Sequence, residues 1–125
     1  MVYVIATLAL APGTRAAFLA EFAKVVPLVH AEEGCIEYLP VVDAETDIAS
    51  QHRVGPDTVV IVEKWASVAA LRAHDTAPHM QAYRPRVKEY LRGREIRIMQ
   101  AAPETGPWSD PDAARKFLSE DYTGG

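Results

Sequence analysis

Two histidines lie shortly after a glutamate and a tryptophan in one stretch of the chain, and these side chains could move protons. The four residues are Glu63, Trp65, His74 and His79. Imidazole changes its charge near neutral pH, so either histidine has the chemistry of a general base. Glu63 stands in an apolar run and needs a partner if it is buried. The stretch therefore predicts a site at the junction between a strand and the helices that follow it.

A strand is expected to position Glu63 and Trp65. Residues 59–62 are an unbroken run of Val and Ile, which favours a strand buried on both faces. Alternate side chains of a strand share a face, so Glu63 and Trp65 lie on the side of Val59 and Ile61. On that face Trp65 is either a core or interface residue or part of a pocket. Glu63 is either the ion-pair partner of an Arg or His or an acid group of the site.

Two short helices are expected to position the histidines. Ser67 has the side chain of an N-cap, and the residues after it favour a helix that carries His74. Pro78 ends that helix and begins the next, because the residue before a proline leaves the α region while proline suits a first helical turn. His79 then lies at a helix N-terminus. The alternatives are a structural His74, hydrogen-bonded to a strand group such as Glu63, and a solvated or capping His79.

Hydrophobic period and turn residues predict the other elements. Pro27 is expected to kink or divide the first helix, and Gly34 to adopt the left-handed conformation after it. Pro40 predicts an edge position or a bulge for the second strand, and Gly93 is expected to break the last helix. The expected order is strand, helix, strand, long loop, strand, broken helical unit and strand, at residues 2–10, 14–34, 35–43, 44–57, 58–65, 67–91 and 95–101.

This βαββαβ order is that of a ferredoxin-like α+β domain with a four-stranded antiparallel sheet. Helices cover one face of such a sheet, yet the first and third strands are apolar on both faces. We therefore expect a homodimer whose two sheets pack face to face in a dimeric α/β barrel. Residues 1–102 form the domain, and residues 103–125 form a tail with a short helix over 110–120. Trp108 and Phe117 of the tail are expected to reach the partner subunit.

Length and composition are those of one ordinary globular domain. The 125 residues are 49% hydrophobic and 24% charged, with a net charge of −4, and the basic residues are mostly scattered. A nucleic-acid partner is therefore not expected. The single cysteine, Cys35, indicates a reducing compartment and a cytoplasmic location.

Membrane and metal binding are not expected either. Residues 2–11 are apolar but lack the basic segment of a signal peptide, so they predict a strand. No run approaches the about 20 apolar residues that cross a bilayer. No HxH or HxxxH spacing accompanies Glu63, so a metal site of His74, His79 and Glu63 is not favoured.

Four short motifs, in one order and spacing, resemble the antibiotic biosynthesis monooxygenase family over residues 1 to about 99. They are Glu32-x-Gly34-Cys35-x-x-Tyr38, Glu63-x-Trp65, Leu71-x-x-His74 and Pro78-His79-x-x-x-Tyr83. The resemblance implies a dimer with one pocket per subunit. It also implies oxidation of a quinol, phenol or anthrone by O2 without metal, flavin or other cofactor. In that chemistry the deprotonated substrate itself reduces oxygen, and the protein supplies a base and an apolar pocket.

The resemblance also assigns roles to residues. His74 or His79 would be the base, Trp65 would stack on the aromatic substrate, and Glu63, Tyr38 and Tyr83 would line the pocket. The chain contains no Asn, the residue that anthrone-type and haem-degrading relatives use in the pocket. It also has Tyr83-Arg84 about where the haem-degrading relatives place a ligand histidine, so haem degradation is not expected. Two other functions fit the same residues. One is isomerisation of a small carbonyl compound by the same histidine, and the other is a dimer that binds a small molecule without converting it.

Overall fold

Seven elements in the predicted order make up the domain. A computed structural model describes residues 1–103, 106 and 108. The elements are β1 (Val2–Leu10), α1 (Arg15–His30), β2 (Cys35–Val41), β3 (Thr58–Trp65), α2 (Val68–Thr76), α3 (Pro78–Val87) and β4 (Leu91–Met99). The strands pair antiparallel in the order β2-β3-β1-β4, and the helices pack on one face of the sheet. This is the expected ferredoxin-like α+β fold.

The core lies between the sheet and helix α1. Alternate residues of the two central strands are buried, among them Val4 of β1 and Val59 of β3. Phe18 and Phe22 of α1 pack on them, since their spacing of four places both on one side of the helix. Trp65 is completely buried at the end of β3. The strand that carries the predicted site is thus a central and rigid part of the sheet.

Three predictions, for two prolines and one glycine, concern the first half of the chain. Helix α1 runs through Pro27 without dividing, because Pro27 is exposed in its last turn and only one backbone hydrogen bond is lost there. Gly34 has a φ of 84°, which confirms the predicted left-handed conformation. Strand β2 lies at the sheet edge, as Pro40 predicted.

The boundary between α3 and β4 differs from the expected one. Helix α3 ends at Val87 rather than near residue 91, and β4 begins at Leu91 with Gly93 inside it. Gly93 lies opposite Ala9, next to a register shift in β1 between Ala9 and Leu10. Pairing with a central strand therefore outweighs the weak strand preference of glycine.

Residues 44–57 form the predicted long connection between β2 and β3. Asp43 holds its far end, accepting hydrogen bonds from the backbone N–H groups of Val54 (2.9 Å) and Gly55 (2.8 Å). These bonds hold the pKa of the Asp43 carboxyl below its usual range. The Asp43 side chain therefore holds the end of the loop next to its beginning.

Within residues 1–103, no helix covers the second face of the sheet. Its central part consists of apolar side chains that are half-buried or exposed, namely Tyr3, Ile5, Leu39, Val41, Val60 and Val62. The tail helix expected over 110–120, and Phe117, lie outside the described residues. Trp108 is described, and its indole donates to the carbonyl of Pro103 at 3.2 Å. In the described part of the chain no helix is long and apolar enough to span a membrane.

Candidate active site

A cleft of about 1540 Å³ separates the helix-covered face of the sheet from helices α2 and α3. Val4, Ala6 and Ile61 form its floor, and Leu71 and Met80 line its helical side. It opens beside the edge strand β4, where Ile96 and Ile98 of the lining are 50% and 58% exposed. The cleft is mainly apolar and large enough for an aromatic substrate.

Four of the six predicted site residues line this cleft. They are Tyr38, Glu63, His74 and Tyr83. Trp65 and His79 do not line it; Trp65 is fully buried beneath His74, its ring centre 4.7 Å from the imidazole centre. His74 is thus the histidine that faces the cleft, and Trp65 is a core residue that supports it.

A single carboxylate oxygen joins the two histidines. Oε2 of Glu32 lies 2.9 Å from Nδ1 of His74 and 2.7 Å from Nε2 of His79. An ionised carboxylate only accepts hydrogen bonds, so each of these ring nitrogens carries its hydrogen toward Glu32. In a neutral ring the other nitrogen, which is Nε2 in His74, keeps its lone pair. We define Glu32, His74 and His79 as the Glu–His cluster.

Local sequence features bring the cluster together. Gly34 turns the chain between α1 and β2, and its carbonyl accepts from the N–H of Ala66 (2.8 Å) at the end of β3. Ser67 is the predicted N-cap, its hydroxyl accepting from the N–H of Ala70 at 3.1 Å. Pro78 occupies the first turn of α3, as predicted, and places His79 beside the same turn. Glu32 therefore comes from the turn between α1 and β2, and the two histidines come from the helices that follow β3. The hydrogen bond between Gly34 and Ala66 joins these two regions.

Glu63 has a different partner from the one expected. Its Oε1 accepts from the indole Nε1–H of Trp65 at 3.0 Å, and no Arg or His within the described residues hydrogen-bonds to it. The two side chains meet because residues two apart in a strand share a face. Burial raises the pKa of the Glu63 carboxyl, while the indole and the nearby His74 oppose that rise. His74 hydrogen-bonds to Glu32 rather than to Glu63.

Aromatic rings surround the imidazole of His74. The ring of Tyr38 lies edge-on to it at 5.3 Å between centres. Burial raises the pKa of the phenols of both Tyr38 and Tyr83 well above the usual value. Both phenols therefore stay neutral at physiological pH and can donate a hydrogen bond but not serve as a base. Of the ring side chains in this group, the imidazole of His74 is the one that can act as a base near neutral pH.

Glu32 is the site residue that the sequence did not identify. It stands in the first of the four motifs, yet 42 and 47 positions separate it from its partners His74 and His79. Only the fold brings these residues together. Within the part of the chain that the structure describes, no group of three or more His, Cys, Asp and Glu could hold a metal ion.

The sequence matches a monooxygenase family model and a relative that is named as a probable monooxygenase. The sequence model of the family described as "Antibiotic biosynthesis monooxygenase" matches residues 1–86. The chain is 44% identical over 102 residues to the Escherichia coli (strain K12) protein named "Probable quinol monooxygenase YgiN". That alignment covers 80% of this chain and 97% of the relative.

Solved structures share the fold. Rv0793 from Mycobacterium tuberculosis superposes with a TM-score of 0.65 at 28% identity, covering 80% of this chain and 93% of that one. Protein SO0527 from Shewanella oneidensis has a TM-score of 0.65 at 25% identity, covering 78% of this chain and 87% of that one. The match extends over most of each structure, so the sheet and the helices that line the cleft belong to a shared architecture.

Proposed function

The chain belongs to the antibiotic biosynthesis monooxygenase family, and on that premise we propose that it oxidises a small electron-rich aromatic, a quinol first of all, with O2. The reaction would take place in the cleft with His74 as the base. Phenols and anthrones share the property that matters, since their conjugate bases are readily oxidised.

The observation that carries this proposal is the hydrogen bond between Glu32 and Nδ1 of His74. It turns the basic Nε2 away from Glu32 and holds the imidazole at the cleft wall. When Nε2 accepts a phenolic proton, the resulting imidazolium lies 2.9 Å from the carboxylate, which stabilises the new charge. His79 binds the same oxygen and acts as a positioning residue for Glu32.

The remaining steps belong to the substrate and oxygen. The quinolate gives one electron to O2, and the radical pair combines to form a carbon–oxygen bond. The His74 imidazolium returns its proton to the peroxide, which gives a hydroperoxide. Loss of water then leaves a hydroxyquinone, so quinol and O2 become hydroxyquinone and H2O. The protein's share is to remove the proton, exclude bulk water and orient the ring, for which no cofactor is required.

Roles for the other predicted residues follow from their positions. Tyr38 and Tyr83 line the cleft as neutral phenols that can donate to the substrate oxygens. Glu63, also on the lining, can accept from a substrate hydroxyl. Trp65 supports His74 from below and is not assigned to stacking on the substrate.

A homodimer is part of the same proposal. The open face of the sheet carries the apolar side chains of Tyr3, Ile5, Leu39, Val41, Val60 and Val62. A second sheet would remove this surface from water. The cleft lies on the opposite face, so each subunit keeps a cleft of its own.

The test is oxygen consumption by the metal-stripped protein with a panel of quinols, measured for the wild type and His74→Ala. We expect uptake that falls at least about 100-fold in the variant, as for loss of a general base. His52→Ala is the control, because His52 is an exposed histidine of the 44–57 loop. Uptake that survives in His74→Ala would remove His74 as the base. Turnover without oxygen uptake would favour the isomerase.

A further inference from the structure

We propose that the cleft takes an aromatic substrate that carries an acidic group, such as a carboxylate, and that basic residues at its mouth recognise this group. The inference deepens the proposed function, on which it rests for the reaction. Its basis is a set of four cations at the cleft, which we call the basic rim: Arg72, Arg84, Lys88 and Arg94.

The basic rim is opposite in sign to the molecule as a whole. The chain has a net charge of −4. The carboxylates that line the cleft are Asp75, close to Arg84, and Glu63, which is buried in the floor. The mouth of the cleft is therefore positive on an acidic protein, and an apolar cleft concentrates such a field.

Three different elements contribute to the basic rim. Arg72 comes from α2, and Arg84 and Lys88 lie four residues apart along α3 and its C-terminal end. Arg94 lies on β4 opposite Leu8, on the face that forms the cleft. Cations at the end of α3 suit the negative end of a helix. The helix dipole does not explain why Arg72 lies within α2 or why Arg94 lies on a strand. A ligand that all of these cations contact would explain both positions.

Most of these cations have no side-chain partner among the residues that the structure describes. Arg84 binds the carboxylate and the carbonyl of Asp75, at 2.9 and 2.7 Å. Within the described residues the side chains of Arg72, Lys88 and Arg94 form no ion pair or hydrogen bond. Three basic groups beside the cleft are thus available to a ligand.

The cleft has two distinct regions that match such a substrate. The inner region holds His74 and aromatic side chains, where the ring to be oxidised would lie. The outer region holds the basic rim, where an acidic substituent would stay partly hydrated and pair with Lys88 or Arg94. A neutral ring of the same size gains only the apolar contact, so charge is the basis of discrimination.

The test is a binding measurement without turnover. Calorimetry under anaerobic conditions compares 1-naphthoate with its neutral analogue 1-naphthamide, for the wild type and the double variant Lys88→Gln/Arg94→Gln. At low salt we expect the wild type to bind naphthoate about tenfold more tightly than the amide. In the double variant, or for the wild type in about 0.5 M NaCl, this ratio should fall to about twofold. Affinity for the amide should stay the same.

Arg92→Gln is the matched control, because Arg92 lies on the same strand but does not line the cleft. It should keep the full preference for naphthoate. Equal affinity of the wild type for both compounds would overturn the proposal, and so would a preference that the double variant retains. The measurement needs no oxygen, so a protein that prefers naphthoate but oxidises no quinol would contradict the proposed function and not this inference.

Discussion

Glu32 supplies one oxygen to two imidazoles, and this makes its charge the most sensitive single feature of the candidate site. Glu32→Gln keeps the size of the side chain but removes the negative charge next to His74 and His79. We expect quinol-dependent oxygen uptake to fall about 100-fold, because the imidazolium formed by proton transfer loses its counter-charge. Oxygen-electrode assays of the purified variant measure this.

Glu33→Gln is the control for that substitution, since Glu33 is the next residue in the chain and is exposed. It should match the wild type. Equal activity of the Glu32 and Glu33 variants would show that the shared carboxylate has no part in proton transfer.

Glu63 predicts a pH dependence of stability. Its folded-state pKa is raised above the ordinary 4.5, chiefly by burial, so the folded chain holds this proton more tightly than the unfolded chain. The carboxyl therefore stabilises the fold at low pH, and this contribution is lost as the pH rises from 4.5 through the folded-state value. Glu63→Gln has no such loss, so its stability relative to the wild type should increase as the pH rises above 4.5.

Urea denaturation at several pH values measures that difference in the free energy of unfolding. Glu37→Gln, an exposed substitution on β2, should show no change of this kind. If the difference in unfolding free energy between Glu63→Gln and the wild type did not change with pH, the Glu63 carboxyl would have the same pKa in the folded and the unfolded chain.

At the residue scale, the sequence identified the side chains better than their partners. His74 and Tyr38 were chosen from motifs and do line the cleft. The hydrogen bond between Glu63 and Trp65 could have been predicted, since the two residues share a strand face. An ion pair of Glu63 with an Arg or His was predicted instead. The role of Glu32 was not predictable from spacing, because its bonds close loops longer than 40 residues.

The turn between α1 and β2 is the element that positions the Glu–His cluster, and Gly34 is its critical residue. A Cβ atom there would lie 2.6 Å from the Cβ of Ala70 on α2, and the φ of 84° disfavours any side chain. Gly34→Ala should therefore cost about 1–2 kcal/mol for the backbone and a further 1–3 kcal/mol, roughly, for the overlap. Urea denaturation gives the total.

Gly55→Ala separates these two contributions. Gly55 has a φ of 93°, but a Cβ there would meet nothing within 4 Å. Its substitution should cost only the backbone part, about 1–2 kcal/mol. If both variants lost the same stability, the contact between the turn and α2 would be loose enough to adjust.

Elements with a strong pattern were predicted well, and elements decided by tertiary pairing were not. The strand at β3 and the helix break at Pro78 follow from β-branched residues and from proline geometry, both of which are local. The start of β4 is set by hydrogen bonds to β1, so the local preference of Gly93 gave the wrong boundary.

At the scale of the whole molecule, the open sheet face predicts self-association. Wild-type protein should sediment as a dimer, at twice the chain mass of 13.7 kDa. Val62→Lys should yield monomers, because it places a charge in the middle of the apolar face, between Ile5 and Leu39.

Val54→Lys introduces the same charge on the exposed loop of residues 44–57 and should leave the dimer intact. Sedimentation velocity distinguishes the two variants. A dimeric Val62→Lys would mean that subunits associate through another surface.

Helix α2 is attached to the rest of the molecule by little buried surface. His74 is its single buried residue, and Ala70 and Leu71 are only partly covered. The free energy of local opening should therefore be lower for α2 than for the central strands. Its amides should exchange with deuterated solvent sooner than those of β1 and β3. Opening of α2 would also carry His74 away from Glu32, so the proposed base keeps its counter-charge only while this helix is docked.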